Sequence, residues 1–500
     1  MHALPWRDTT FMAASLSTSI LSCFLFWSTK GDLAVATVPL AMFGFAALAP
    51  TLARLDDISL VATWLAVILL LDAPAGYPFW DYDPLTETLG TLVFESASKF
   101  LGLTGLRLTL VEAGSYALAL WLAFVNNRHE VLNLRFSGQF RFAAVMALLV
   151  PGTLLAFGAI GIIKGNDVAL AMTQLRFVPL LACWTYIGYL ACRRPQDTAV
   201  IFKVVVAAMV FKSLQGWFAY FFVFGADMGH REYLLEHLTS DQLATAMFVV
   251  LGAWYLFGAR RVPTPAVVAA VVLMGFAYLL NDRRASFVGV AMCFILLPVV
   301  YFRDLTRRHW LALGAIVVLT VGFIAATWGA QGSIGIPARA VESLMSDAAQ
   351  GSAASYRELE DFNLYSAVMS HPIAGLGFGK RFEIIAPLPD ISMVYENFDA
   401  IPHNNVLFTW VFAGPAGIAA LGTFIAVAIA IMMRLGRDAR DRYLQLFAFV
   451  GFTMVVRWSF YVYADIGLME NRTLALIGLA VGMAMALQAM TPARRPEATA

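Results

Sequence analysis

The 500 residues are 60% hydrophobic, about 300 apolar side chains against 34 basic and 33 acidic ones, roughly half the charged share of an ordinary soluble chain. That excludes a soluble globular enzyme. A net charge of +1 supplies no electrostatic grip on a phosphate backbone, so nucleic acid is excluded as a partner.

A membrane helix takes roughly 20 apolar residues. In chain order, apolar segments recur near 11–28, 33–53, 58–74, 110–126, 142–163, 173–192, 199–225, 242–258, 264–281, 285–302, 310–328, 405–433, 443–463 and 472–490. They predict an all-α polytopic membrane protein with about 14 transmembrane helices, and no fewer than about 12. A single basic residue, Arg7, precedes the first run and no small-residue cleavage site follows it, so that helix is expected to be retained. Alternate connections collect arginine: Arg128/Arg135/Arg141, Arg193/Arg194, Arg260/Arg261, Arg303/Arg307/Arg308, Arg434/Arg437/Arg440/Arg442 and Arg494/Arg495. Short cytoplasmic loops carry the Lys/Arg excess, which puts all six clusters and both termini in the cytoplasm. The opposite connections hold more acids, with Asp81, Asp83, Glu87 and Glu95 in one and Asp227, Glu232 and Glu236 in another. Cys23, Cys183, Cys192 and Cys293 all lie in or beside apolar runs and are expected as buried or lipid-facing filler rather than disulfides. The organisation is therefore helices 1–11 with short loops over 1–328, a large outer loop over 329–404, helices 12–14 over 405–490 and a tail over 491–500.

The outer loop opens on GAQGSIGIPARA, too rich in Gly and Pro for a helix. In SAASYRELEDFNLYSAVMSHP, Leu359, Phe362, Tyr365 and Met369 recur at helical spacing beside Arg357, Glu358, Glu360 and Asp361. This predicts a short amphipathic helix along the membrane surface, ended by Pro372. Gly375, Gly377 and Gly379 follow in IAGLGFGKRF, and PHNNVLFTWVFAGPAGIAALG returns to the bilayer.

Together NDRRASFVG, HPIAGLGFG and HNNVLFTWVFAGPAG resemble the O-antigen ligase and polymerase family over about residues 260–425. The most specific piece is His403-Asn404-x-x-Leu407 with Gly414 and Gly417 after it. The resemblance implies a bacterial inner-membrane glycosyltransferase of the C-type fold with a periplasmic active site. It implies an undecaprenyl-diphosphate-linked oligosaccharide as donor, a glycan or lipid A core as acceptor, and metal-independent, inverting transfer without a cofactor. Where the family more often has Ser-Arg-Gly, this chain has Arg283-Arg284-Ala285, and Arg284 is assigned the role because it precedes the small residue.

The chemistry also follows from residue types. Breaking a sugar–diphosphate bond leaves charge on the departing phosphate, which arginine grips in two places at any working pH. Arg284 and Arg357 are assigned there, with Arg283 beside them; the plainer readings are a snorkelling helix-end pair and an Arg357–Asp361 contact one turn apart. Histidine suits activation of an acceptor hydroxyl, and His403 is assigned either as base or as the group that orients the acceptor. Asn404 either caps the next helix or binds sugar. Gly375, Gly377 and Gly379 either present N–H groups to an anion or make turns.

Asp81-x-Asp83 resembles a divalent-metal pair, but its Tyr, Trp and Pro neighbours read better as an interfacial loop, and no metal site is assigned. Lys212 and Arg457 fall inside spans and either line a groove for the diphosphate or neutralise a buried acid. His230 and His237 lack further ligands for a metal. Membrane lipids and other polysaccharide-assembly proteins complete the expected partners. A transporter or flippase is the alternative reading; it would need broken helices in two corresponding halves, and no internal repeat is found. Between polymerase and ligase, the extent of the outer loops favours polymerase.

Overall fold

The computed structural model describes residues 55–73, 84–96, 108–123, 138–226, 234–236, 238–281, 284–300, 307–330, 335, 338, 352–392 and 397–490. The first two expected spans, the tail, Cys23, Asp81, Asp83, His230, His237 and Arg283 lie outside the described residues. The described chain is helical, with one isolated bridge between Ser96 and Thr109. In order come α1 (Asp57–Leu70), α2 (Leu85–Phe94), α3 (Leu110–Trp121), α4 (Gly138–Ile163), α5 (Val168–Leu175), α6 (Val178–Ala191) and α7 (Asp197–Phe218). A π-helical turn, Ala219–Val223, extends α7. Then follow α8 (Thr239–Phe257), α9 (Thr264–Leu280), α10 (Arg284–Val300), α11 (Arg307–Ala326), α12 (Ser352–Ser370), α13 (Asn405–Asp438), α14 (Arg442–Ala464) and α15 (Asn471–Met490).

Among the described residues six helices are long and apolar enough to cross a membrane: α4, α7 with its extension, α8, α13, α14 and α15. A seventh arises if α5 and α6, bent by 40°, count as one. The sequence read this pair as a single span over 173–192. Pro179 in the first turn of α6 explains the break, since it cannot donate the bond that would continue α5. Helices α1 and α9 and the stretch Ala285–Pro298 are apolar but shorter. Cys183, Cys192 and Cys293 are buried and free.

Helix α15 is buried on all sides from Arg472 to Leu487, the condition of a helix at the centre of a bundle. It seats on α6 through Gly478-x-x-x-Gly482, a small-residue pair that lets two backbones approach in lipid, where packing rather than water expulsion drives association. A Cβ at Gly482 would stand 2.0 Å from the Thr185 carbonyl oxygen, and one at Gly188 would stand 2.4 Å from that of Leu479. Gly482→Ala should therefore force the helices apart and cost roughly 1–3 kcal/mol or more, read as a lower melting temperature in detergent.

A second device joins the outer loop to the bundle. Pro415 lacks the N–H that Val411 would otherwise receive, and Gly414 breaks α13 at φ 59° and ψ −160°. Carbonyls released within a membrane helix need other donors. The Leu376 N–H reaches the Val411 oxygen at 2.8 Å and the Gly377 N–H reaches that of Phe412 at 3.0 Å. The segment 372–379 thus closes the gap in α13 from outside the helix. Asn166, just past α4, clasps its other side by donating to the carbonyls of Leu376, Gly377 and Phe378.

Charged residues inside the bundle are paired. Lys212 Nζ is 2.6 Å from Asp72 Oδ2, Arg457 Nη2 is 3.2 Å from Asp241 Oδ1, and Arg472 pairs with Glu236 with its guanidinium 4.7 Å above the Phe94 ring. Of the two readings held for Lys212 and Arg457, these contacts match neutralisation of a buried acid.

Candidate active site

Helix α12 faces the start of α13 at the end of the bundle away from the arginine-rich connections. Glu360, 1% exposed, turns its carboxylate to His403. The His403 backbone N–H donates to Oε2 at 3.0 Å, and ring Nδ1 lies 3.2 Å from Oε1 and 3.3 Å from Oε2. Tyr356, one turn earlier on α12, sets its ring edge-on to the imidazole, with centroids 5.9 Å apart. Burial, with Glu360 beside it, pushes the Tyr356 hydroxyl well above the usual tyrosine range, so it stays protonated. Glu360 thus holds the ring from the Nδ1 side.

Asn404 caps α13, accepting from the Leu407 N–H at 3.1 Å, while its amide donates to Asp361 Oδ1 at 3.2 Å. Asn405, which the sequence reading passed over, is fully buried; its oxygen takes the Leu468 N–H at 2.7 Å and its amide donates to the Pro402 carbonyl. The three residues His403, Asn404 and Asn405 therefore tie α13 to α12 on one side and to the α14–α15 connection on the other. Arg357 is half exposed and stands 3.8 Å from Asp465, the C-cap of α14, while its charge also acts on Asp361.

Burial pushes the Asp361 carboxyl above its ordinary value, opposed by the Asn404 amide and raised further by Glu360. A carboxyl whose folded pKa is raised contributes stability that is full below its unfolded value, near 3.8, and is lost as pH rises through the folded value. Asp361→Asn, which keeps an oxygen for Asn404, should remove this loss. Its melting temperature should gain on that of the wild type as the pH is raised from 4 to 7; a parallel shift at every pH would refute the assignment.

Arg284 is the first residue of α10. Two residues on, Ser286 donates to Asp241 Oδ1 at 3.0 Å, and Gly289 lies against Arg457 of α14. Counting outward from that contact along antiparallel helices brings Arg284 to about the level of Val462, roughly one turn short of Asp465 and Arg357. Helix α14 is thus the common reference for both assigned arginines.

The three glycines have other engagements. All have positive φ, at 59°, 74° and 88°. Their N–H groups go to His371, Phe412 and Gln174, and a Cβ at Gly377 would stand 2.7 Å from the Gly161 Cα. Turn formation and close approach account for them, and none presents a spare N–H to an anion. Residues that the sequence reading missed are Glu360 as the partner of His403, Asn405, Asp465 and Gln174. Gln174 is buried in α5, takes the Gly379 N–H at 2.7 Å, and donates to the carbonyls of Lys380 and Ala400.

No curated protein matches the chain. Residues 269–422 match the family model described as O-antigen ligase, a stretch that takes in α10, α12, the 372–379 segment and the opening turns of α13. Over that region the chain is similar to the O-antigen ligase family, on a scaffold that among the described residues is helical with several membrane-length helices.

Proposed function

We propose that the protein is an envelope glycosyltransferase that moves a glycan from undecaprenyl diphosphate to a sugar hydroxyl on the periplasmic face of the inner membrane. The observation that carries this reading is the buried Glu360 carboxylate against His403 Nδ1. A carboxylate there keeps the proton on Nδ1 and leaves the Nε2 lone pair to accept one. In the reaction Nε2 takes the acceptor's hydroxyl proton as the oxygen attacks the anomeric carbon. The bond from that carbon to the diphosphate oxygen breaks with its electron pair, and the configuration inverts. Arg357, with Arg284 from α10, meets the charge that grows on the leaving diphosphate, the task a divalent ion performs in other transferases.

The test is to supply the purified protein with undecaprenyl-diphosphate oligosaccharide and an acceptor. Transfer with an inverted anomeric centre, unchanged by chelator, is the expected result; retention, or loss on chelation, would overturn the scheme. Offering repeat-unit and lipid A core acceptors in parallel separates polymerase, the favoured reading, from ligase.

A further inference from the structure

Helix α12 has two apolar faces, and among the described residues only one is covered. Leu364, Ala367 and Val368 are buried with Glu360 and Asn363, whereas Phe362, Tyr365 and Met369, spaced by three and four residues, are exposed. The exposed stripe continues past the helix into Ile373, 80% exposed. An uncovered apolar face of this length on a soluble surface would be an aggregation liability.

Its depth can be read from two helices independently. About 20 residues cross the hydrocarbon. Counted back from Met433, the last residue before Arg434, they end at Gly414, and counted forward from Arg141 they end at Gly161. Both endpoints touch the 372–379 segment: a Cβ at Gly414 would stand 2.3 Å from the Ile373 carbonyl oxygen, and one at Gly161 would stand 2.2 Å from that of Phe378. Below Gly414 the exposed positions of α13 recur as Pro415, Ala416, Ala419, Gly422 and Thr423, the period of a helix face turned to lipid. The Ile373 backbone lies against Gly414, at the upper end of that run, and Ile163 and Met172 are exposed at the neighbouring end of α4 and on α5.

We propose that α12 is an interfacial helix whose Phe362, Tyr365, Met369 and Ile373 lie in the acyl–headgroup boundary of the leaflet away from the arginine-rich connections. Its partner is bulk phospholipid. The stripe ends in Ile373, whose backbone meets Gly414 at the level where the hydrocarbon count for α13 stops, and its polar flanks, with Arg357 and Asp361 on one side and Ser366 and Ser370 on the other, suit headgroups. The helix then holds Glu360, and through it His403, at headgroup height. The contact itself stands whether or not the chain transfers glycans.

The experiment places p-benzoylphenylalanine, one site at a time, at positions Tyr365, Met369 and Ile373 of the full chain, with Asp390 in an exposed turn as the water-facing control. Each protein is reconstituted in nanodiscs of phosphatidylcholine and phosphatidylglycerol, checked for monodispersity, irradiated and weighed intact. A one-phospholipid adduct at the three stripe positions and none at Asp390 is the expected result. No adduct at the stripe, a crosslink to a second copy of the chain, or lipid adducts that appear only after a polyprenyl diphosphate is added would each overturn the proposal. The readout uses no sugar donor, so its failure is distinct from failure of the transfer assay.

Discussion

His403→Ala is expected to lower glycan transfer by about two to four orders of magnitude, the usual contribution of a positioned proton acceptor, with the protein still folded. Folding survives because Asn404 and Asn405, not the imidazole, carry the bonds that seat the start of α13. The loss should fall on kcat with donor KM little changed, since the proposed scheme has the imidazole act on the acceptor and the arginines hold the diphosphate. Glu360→Gln adds a finer test. A glutamine amide can donate to Nδ1 and so place the ring proton on Nε2, the wrong nitrogen for a base. Its activity should lie between those of the wild type and His403→Ala, without a fall in melting temperature to match. Near-normal turnover in His403→Ala would refute the base assignment. Near-normal turnover in Glu360→Gln alone would leave His403 as the reactive group and remove the carboxylate from the mechanism.

The largest effect on stability is expected at Arg472. Its guanidinium is fully buried and pairs with Glu236, and Asp72 and Glu470 add to the negative field around it. Removing one partner of a buried pair strands the other and costs about 3–5 kcal/mol. Arg472→Met should therefore leave little monodisperse protein after extraction. Adding Glu236→Gln removes the stranded charge and should recover a substantial part of the yield and the melting temperature, giving a coupling that a double-mutant cycle can measure. Two losses that simply add would show that the pair does not hold these helices together.

How far the sequence could be read depends on whether a feature is local. The spans expected over 199–225, 443–463 and 472–490 agree with α7, α14 and α15 to within a few residues, because twenty apolar residues in lipid leave the backbone no other way to satisfy itself. The bend before α6 falls inside the single span expected over 173–192, because hydropathy alone does not register the backbone break at Pro179. The amphipathic stripe of Phe362, Tyr365 and Met369 was found, but it is the open face; the buried one runs through Leu364, Ala367 and Val368, interrupted by Asn363 and Glu360, whose polarity hides it from a hydropathy pattern. Asn363 is buried because its side chain takes the Ile385 and Ala386 N–H groups. Glu360 lies 43 residues from His403, and no spacing rule reaches that far. The glycines of HPIAGLGFG were visible as a motif, but their N–H acceptors come from α5, α13 and the turn after α12, which only the folded chain brings together.

The gap in α13 has a consequence for how variants of this protein can be built. Two of its carbonyls are completed by Leu376 and Gly377, residues that are synthesised before α13 and belong to the preceding connection. The transferable unit for a chimaera is therefore neither the loop nor the helix but both, from about His371 through Gly417. A graft that takes new sequence only between Lys380 and Asp399 keeps the closure, whereas one whose cut falls between Pro372 and Gly379 opens the helix at the membrane boundary. Substitution libraries should vary the first stretch and leave the second intact.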